Sequence, residues 1–280
     1  MPLNTEAPAL SAVPSTLRIP LAARALGGTL FPQMAVEDRY AADALARMGD
    51  DGQQWLRDRQ SVYGTLGRTR RFRNQALEFL ACYPDAQVAN LGCGLSDYLQ
   101  WIDNGRMRMT DADLPEVMTI RREILPSRHA RHVLAELDLT APDWWQRLGL
   151  PASRDDRPVF LMSEGVFMYL KPATVSAVLA TFGERAPAGS IFTFDAMCWL
   201  GVGRARHHTS VKHTDAEFHW GPRKLADLTA PHPRLTLQSV HQVMGGYSLF
   251  YKLLQPTFKA ITGVPFYAVY TLGGSRETTS

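Results

Sequence analysis

Gly92-Cys93-Gly94 follows the apolar run AQVANL directly, and Asp113 closes a second strand-like run about 20 residues further on. A glycine pair lets backbone approach a ligand closely, and an acid at that distance can accept both hydroxyls of a ribose. Together they point to a nucleoside. Two further acids end later runs: Asp138, followed by Leu139, after HVLAEL, and Glu164 between LMS and GVFMYL. Asp138 can accept from an adenine amino group while Leu139 packs on the ring; its competing role is a helix cap ahead of Pro142, Trp144 and Trp145. A carboxylate in apolar surroundings, as at Glu164, is costly unless it meets a partner or a cationic ligand.

The dinucleotide pattern needs a third glycine, yet this chain reads Gly92-Cys93-Gly94-Leu95-Ser96-Asp97 and sets an acid where phosphates would lie. NAD and FAD are therefore disfavoured. S-adenosylmethionine has a ribose, an adenine, a sulfonium and an amino-acid end, but no phosphate, and fits better.

Strand-end residues must be held by a sheet. From Ala86 onward, AQVANL, MRMTDAD, HVLAEL, PVFLMS and SIFTFDA alternate with helical runs, which predicts βαβ units around a parallel sheet. The helices begin near Ser96, at Pro115, around Trp144 and Trp145, and at Pro172; proline suits a first helical position. RLTLQSVHQV and PFYAVYTL predict a closing antiparallel pair without a clear helix between them. The expected class is α/β, a doubly wound, mostly parallel seven-stranded sheet.

Ahead of the strands, Thr16–Leu26, Asp38–Met48 and Thr65–Ala81 carry apolar residues at helical spacing. Residues 1–15, rich in Pro, Ala, Ser and Thr, read as a mobile arm, and 16–280 as one domain: a helical lid region over 16–82, then an α/β core with a polar insert at about 196–220.

At 280 residues and 45% hydrophobic the chain can bury a full core, and a net charge of +3 with dispersed Lys and Arg does not imply nucleic acid. No signal-like or membrane-spanning run is present, so a cytoplasmic location and no membrane partner are expected. Cys82, Cys93 and Cys198 form no CxxC pair, which argues against disulfides or a zinc ribbon. His207, His208, His213 and His219, with Asp215 and Glu217, match no standard zinc spacing, and no metal is expected.

The stretches STLRIPLAARA, RTRRFRNQALEFL, VANLGCGL, DLPEV and SEGVFMYL together resemble the leucine carboxyl methyltransferase family, in particular its bacterial tetracenomycin-type polyketide O-methyltransferase branch. The resemblance implies the class I methyltransferase sheet with a helical lid and S-adenosylmethionine as cofactor. By matched position it assigns Arg68 to the cofactor carboxylate, where a guanidinium fork can make two parallel bonds. It assigns Gly92 and Gly94 to the loop beneath, Asp113 to the ribose, Asp138 and Leu139 to the adenine, and Glu164 to the amino-acid side, with Cys93 and Leu114 as further cofactor contacts. The family usually reads GLDTR after the glycines. Here Ser96 replaces an acid and Tyr98 a base, and Arg73 stands where an Asp is frequent.

Members of this family often methylate carboxylates, which are ionised at neutral pH and need alignment more than a strong base. The expected function is O-methylation of a carboxylate or hydroxyl on a small molecule of secondary metabolism. Tyr169, His207 and His208 are the candidate catalytic residues, with Arg24, Trp199 and Arg204 as further acceptor contacts; for a hydroxyl acceptor, one of the histidines is a reasonable base. Two alternatives stay open: a cyclase that converts the cofactor itself into azetidine-2-carboxylate and methylthioadenosine, and a non-catalytic regulatory domain. The oligomeric state is not legible.

Overall fold

The computed structural model describes residues 15–204 and 217–275. Seven strands form one sheet: β1 (Gln87–Leu91), β2 (Arg108–Asp113), β3 (His132–Glu136), β4 (Val159–Ser163), β5 (Ile191–Met197), β6 (Leu235–Gln242) and β7 (Tyr267–Gly274), in the order β3-β2-β1-β4-β5-β7-β6. β1 to β5 pair in parallel, and β7 runs antiparallel to both of its neighbours. The predicted sheet class is the observed one. Strand order reverses on either side of β1 and β4, which makes their carboxyl ends the place where a crevice opens.

Alternation along the strands explains how both faces are covered. Val88 and Phe160 join one core with Leu66, Phe72 and Phe79 of α3 (Arg59–Cys82). Ala89 and Leu161 join the other with Trp144 and Trp145 of α6 (Trp144–Arg147) and Val178 and Phe182 of α7 (Pro172–Arg185). In β4 all five residues are buried, as a central strand covered on both faces requires.

Several boundaries differ from the sequence expectation. Within residues 16–82, α3 joins the main core, whereas α1 (Ser15–Leu26) and α2 (Ala41–Arg47) pack together in a smaller one. The helix expected from Ser96 shrinks to α4 (Leu99–Ile102), because residues 92–98 are drawn into a loop by side-chain bonds described below. α5 (Pro115–Ile124) and α7 open on their prolines as predicted. The apolar segment before PFYAVYTL is α8 (Leu249–Thr262), so a helix does separate β6 from β7; Ser248 caps it by accepting from the N–H of Tyr251. Residues 1–14 of the arm expected over 1–15, and residues 205–216 of the insert, lie outside the described residues; Ser15 opens α1.

Candidate active site

Two buried ionic networks build the crevice. The first lies behind the glycine loop. Arg121 of α5 is fully buried, pairs with Asp111 of β2, and donates to the carbonyls of Gly94 at 2.9 Å and Ser96 at 2.6 Å. Asp111 also meets His132 Nε2 at 2.8 Å and Asn90 Nδ2 at 3.0 Å. The Ser96 hydroxyl closes the loop by donating to Cys93 O at 2.7 Å. Gly92 has φ +72°, and a Cβ there would sit 2.3 Å from Val166 Cγ2. The loop is thus pressed against the segment that follows β4, and only glycine fits.

The second network faces the crevice. Glu164 accepts from Arg68 Nε at 2.9 Å, from Thr69 Oγ1 at 3.1 Å and from the hydroxyl of Tyr98. Arg68 also donates from Nη1 to Tyr267 Oη at 2.9 Å and lies 3.5 Å from Asp195 Oδ2. Tyr267 in turn donates to Asp195 at 2.6 Å, and the other Asp195 oxygen accepts from the N–H of Gly165 at 2.6 Å. Burial works to lower the Arg68 pKa, but Tyr267, Asp195 and Glu164 outweigh it and hold the guanidinium charged. Tyr98, where the family carries a base, is therefore fully buried and bonded to the neighbouring acid. Arg73 is half-buried and outside the pocket lining.

Asp113, the last residue of β2, accepts from the N–H of Gly94 at 2.7 Å through one oxygen and from that of Leu114 at 2.8 Å through the other. Burial pushes its pKa up. Asp138 lies two residues beyond β3 and is exposed; it caps the local turn by accepting from Thr140 N at 2.8 Å, which lowers its pKa, and it does not cap α6, whose N-cap position is Asp143.

These strand ends line a single cavity of about 870 Å³ that contains Arg68, Gly92, Cys93, Gly94, Asp113, Leu114, Asp138, Leu139, Glu164 and Tyr169. All the expected cofactor residues meet there. Burial raises the Tyr169 hydroxyl to a pKa of about 12, so it stays a neutral donor at physiological pH. His207 and His208 lie outside the described residues, so the structure does not place them. Arg24 lines the pocket but is committed to Asp38 at 2.9 Å and to Leu95 O at 2.9 Å. Trp199, stacked under Arg223 at 4.8 Å, and Arg204 are outside the lining. Cys93 is buried and its thiol pKa is raised well up by burial, which suits a wall residue and not a nucleophile. Among the described residues no group of His, Cys, Asp and Glu is arranged to hold a metal, and no helix is long and apolar enough to cross a membrane.

Sequence reasoning did not single out Thr69, Arg121, Asp195 or Tyr267. Asp195 carried a usable signal, an acid inside the apolar strand SIFTFDA, the same signal that marked Glu164. Tyr267 carried none.

The donor set fits S-adenosylmethionine. Each Asp113 oxygen uses one lone pair on backbone and keeps another for a ribose hydroxyl. Leu114 and Leu139 offer apolar flanks for a ring. Arg68, Glu164 and Asp195 sum to one negative charge when ionised, which complements a ligand with a sulfonium, an ammonium and one carboxylate. The fork differs from the expected two-pronged clamp: Nε and Nη1 are engaged, and Nη2 is the nitrogen without a hydrogen bond among the described residues.

Comparison with known proteins agrees. The chain is 28% identical over 238 residues to the tetracenomycin polyketide synthesis O-methyltransferase of Streptomyces glaucescens, covering 82% of each. It is 31% identical over 99 residues to a Frankia alni protein provisionally described as an S-adenosyl-L-methionine-dependent methyltransferase, a match covering 33% of this chain and 35% of that one. A crystal structure from Thermobifida fusca, provisionally described as a methyltransferase, shares the fold with a TM-score of 0.57 at 16% identity, over 93% of this chain and 94% of that one. The leucine carboxyl methyltransferase family model matches residues 12–183. The chain belongs to the leucine carboxyl methyltransferase family, and its cofactor is S-adenosylmethionine.

Proposed function

We propose that this methyltransferase transfers the methyl group to an oxygen of a small, largely apolar aromatic acceptor in secondary metabolism. One observation carries the reading: the cavity that holds the strand-end residues continues into a wall of Met168, Tyr169, Phe218, Met244, Tyr251 and Phe266. A volume of about 870 Å³ is near the top of the range of roughly 300–1,000 Å³ usual for one small-molecule site. That leaves room for an acceptor beside the cofactor. The curated relative from Streptomyces glaucescens is an O-methyltransferase of polyketide synthesis, which supports oxygen as the nucleophile.

When bound, the cofactor supplies a methyl carbon made electrophilic by its sulfonium. The chain's own residues then have three tasks. Asp113, Arg68 and Glu164 fix the two ends of the cofactor; the aromatic wall excludes water and aligns the acceptor; the Tyr169 hydroxyl, kept protonated by burial, can donate to the acceptor oxygen. In this mechanism Tyr169 binds and orients, and is not a base.

The leaving group tests the reaction. Purified protein incubated with S-adenosylmethionine and aromatic acceptors is expected to form S-adenosylhomocysteine only when an acceptor is present. Rapid methylthioadenosine release without any acceptor would establish attack within the amino-acid chain and refute methyl transfer.

A further inference from the structure

The acceptor wall carries polar groups whose chemistry selects among oxygen nucleophiles. Segment 217–220 is pinned over the turn after β4: the N–H groups of His219 and Trp220 both donate to Met168 O, at 2.8 and 3.2 Å, and the Phe218 ring lies 5.4 Å from that of Tyr169. Glu217 and His219 are exposed, line the same cavity, and their side chains have no partner among the described residues. Among the described residues two guanidiniums reach the cavity: Arg24 is held by Asp38, and Arg68 is held by Glu164 and Tyr267 through Nε and Nη1. What the described acceptor wall offers is thus the imidazole of His219, the carboxylate of Glu217 and the phenols of Tyr169 and Tyr251.

A carboxylate acceptor would have to approach Glu217 and, among the described guanidinium nitrogens at the cavity, compete with the cofactor carboxylate for Arg68 Nη2. A neutral hydroxyl brings a proton that the wall can receive. From this arrangement we infer that the acceptor is a hydroxylated aromatic molecule and that His219 is the catalytic base that takes its proton. The inference rests on the aromatic-acceptor proposal above. The step balances: the hydroxyl O–H breaks and its proton goes to an imidazole nitrogen, the oxygen bonds the methyl carbon, and the carbon–sulfur bond breaks to leave a neutral thioether. An imidazole suits this because its unprotonated ring nitrogen accepts a proton. Tyr169, donating from across the Phe218 contact, steadies the oxygen as negative charge develops on it.

Two probes with one skeleton separate the possibilities, 2-naphthol and 2-naphthoate. Calorimetry on protein saturated with S-adenosylhomocysteine is expected to give at least about tenfold tighter binding of 2-naphthol, matching the loss of one well-placed polar interaction for the acid. Tighter binding and methylation of 2-naphthoate would overturn the hydroxyl inference while leaving aromatic O-methylation standing. Binding of neither probe would overturn both. His219→Gln is expected to keep the affinities for S-adenosylhomocysteine and 2-naphthol within about twofold, to lower kcat about 10²- to 10⁴-fold, the usual contribution of a general base, and to abolish the rising limb of the pH–rate profile. An unchanged rate and pH profile would remove His219 from the chemistry.

Discussion

The two ionic networks are built from the same kinds of residue and do opposite things with them. Arg121 and Asp111 have no solvent exposure and bond to Asn90, His132 and loop carbonyls, while Arg121 Nε stays buried without a partner among the described residues. Arg68 and Glu164 lie on the wall of the cavity with 14% and 6% of their side chains exposed, and Nη2 of the arginine stays unbonded among the described residues. One network is sealed inside the protein and shapes the glycine loop; the other opens on the cavity, where a ligand can reach it. A buried arginine–aspartate pair by itself therefore says little about function. The direction of its last free valence says more.

If this contrast is right, breaking the first network should damage the fold and breaking the second should damage binding. Arg121→Met leaves Asp111 charged and buried and two loop carbonyls without their donor, and removing one partner of a buried pair costs about 3–5 kcal/mol. Urea unfolding should show that loss, and the double variant with Asp111→Leu should recover part of it. A loss below about 1 kcal/mol, the scale of a solvent-exposed pair, would mean that the network is solvated. Glu164→Gln is the counterpart. Arg68 keeps Asp195 and Tyr267, so unfolding should change less than for Arg121→Met, while S-adenosylmethionine affinity falls by about 1.5–3 kcal/mol for the lost charged hydrogen bonds. Calorimetry showing unaltered affinity would place the cofactor's cationic end elsewhere.

This contrast was only half visible in the sequence. The strands, the helices opened by Pro115 and Pro172, and the acids at strand ends were legible because apolar periodicity and local residue types dictate them. Glu164 stood out for the same reason, as an acid among apolar residues. Its environment did not. Tyr98 read as a departure from the family motif, and only packing reveals that its hydroxyl reaches Glu164 across 66 residues of chain. Tyr267 reaches Arg68 across 199. The late start of α4 was hidden too, since it depends on long-range bonds from Arg121 to the carbonyls of Gly94 and Ser96. His219 could be named as one histidine of four, but its place on the cavity wall depends on two long-range bonds to Met168 O.

The smallest expected effect sharpens the comparison most, because the two networks move their aspartates in opposite directions from the usual value of 3.8. For Asp111, burial alone would raise the pKa, yet Arg121 and His132 outweigh it and the folded value is lowered. Such a group stabilises the fold above its unfolded pKa, and the contribution is lost as pH falls through the folded one. For Asp195, burial raises the pKa, Glu164 adds to it, and Arg68 with the Tyr267 bond does not fully oppose them. An acid with a raised folded pKa favours the fold at low pH and weakens it as pH climbs from 3.8 through the folded value. The stability gap between the wild type and Asp195→Asn should therefore shrink with rising pH above 3.8. The gap for Asp111→Asn should widen up to that value and stay level beyond it. Urea unfolding at intervals from about pH 3 to about pH 7, the range over which carboxylates titrate, measures both. Slopes of the same sign would show that the aspartate of the cavity-facing network is as well compensated as that of the sealed one, and the distinction between them would fall.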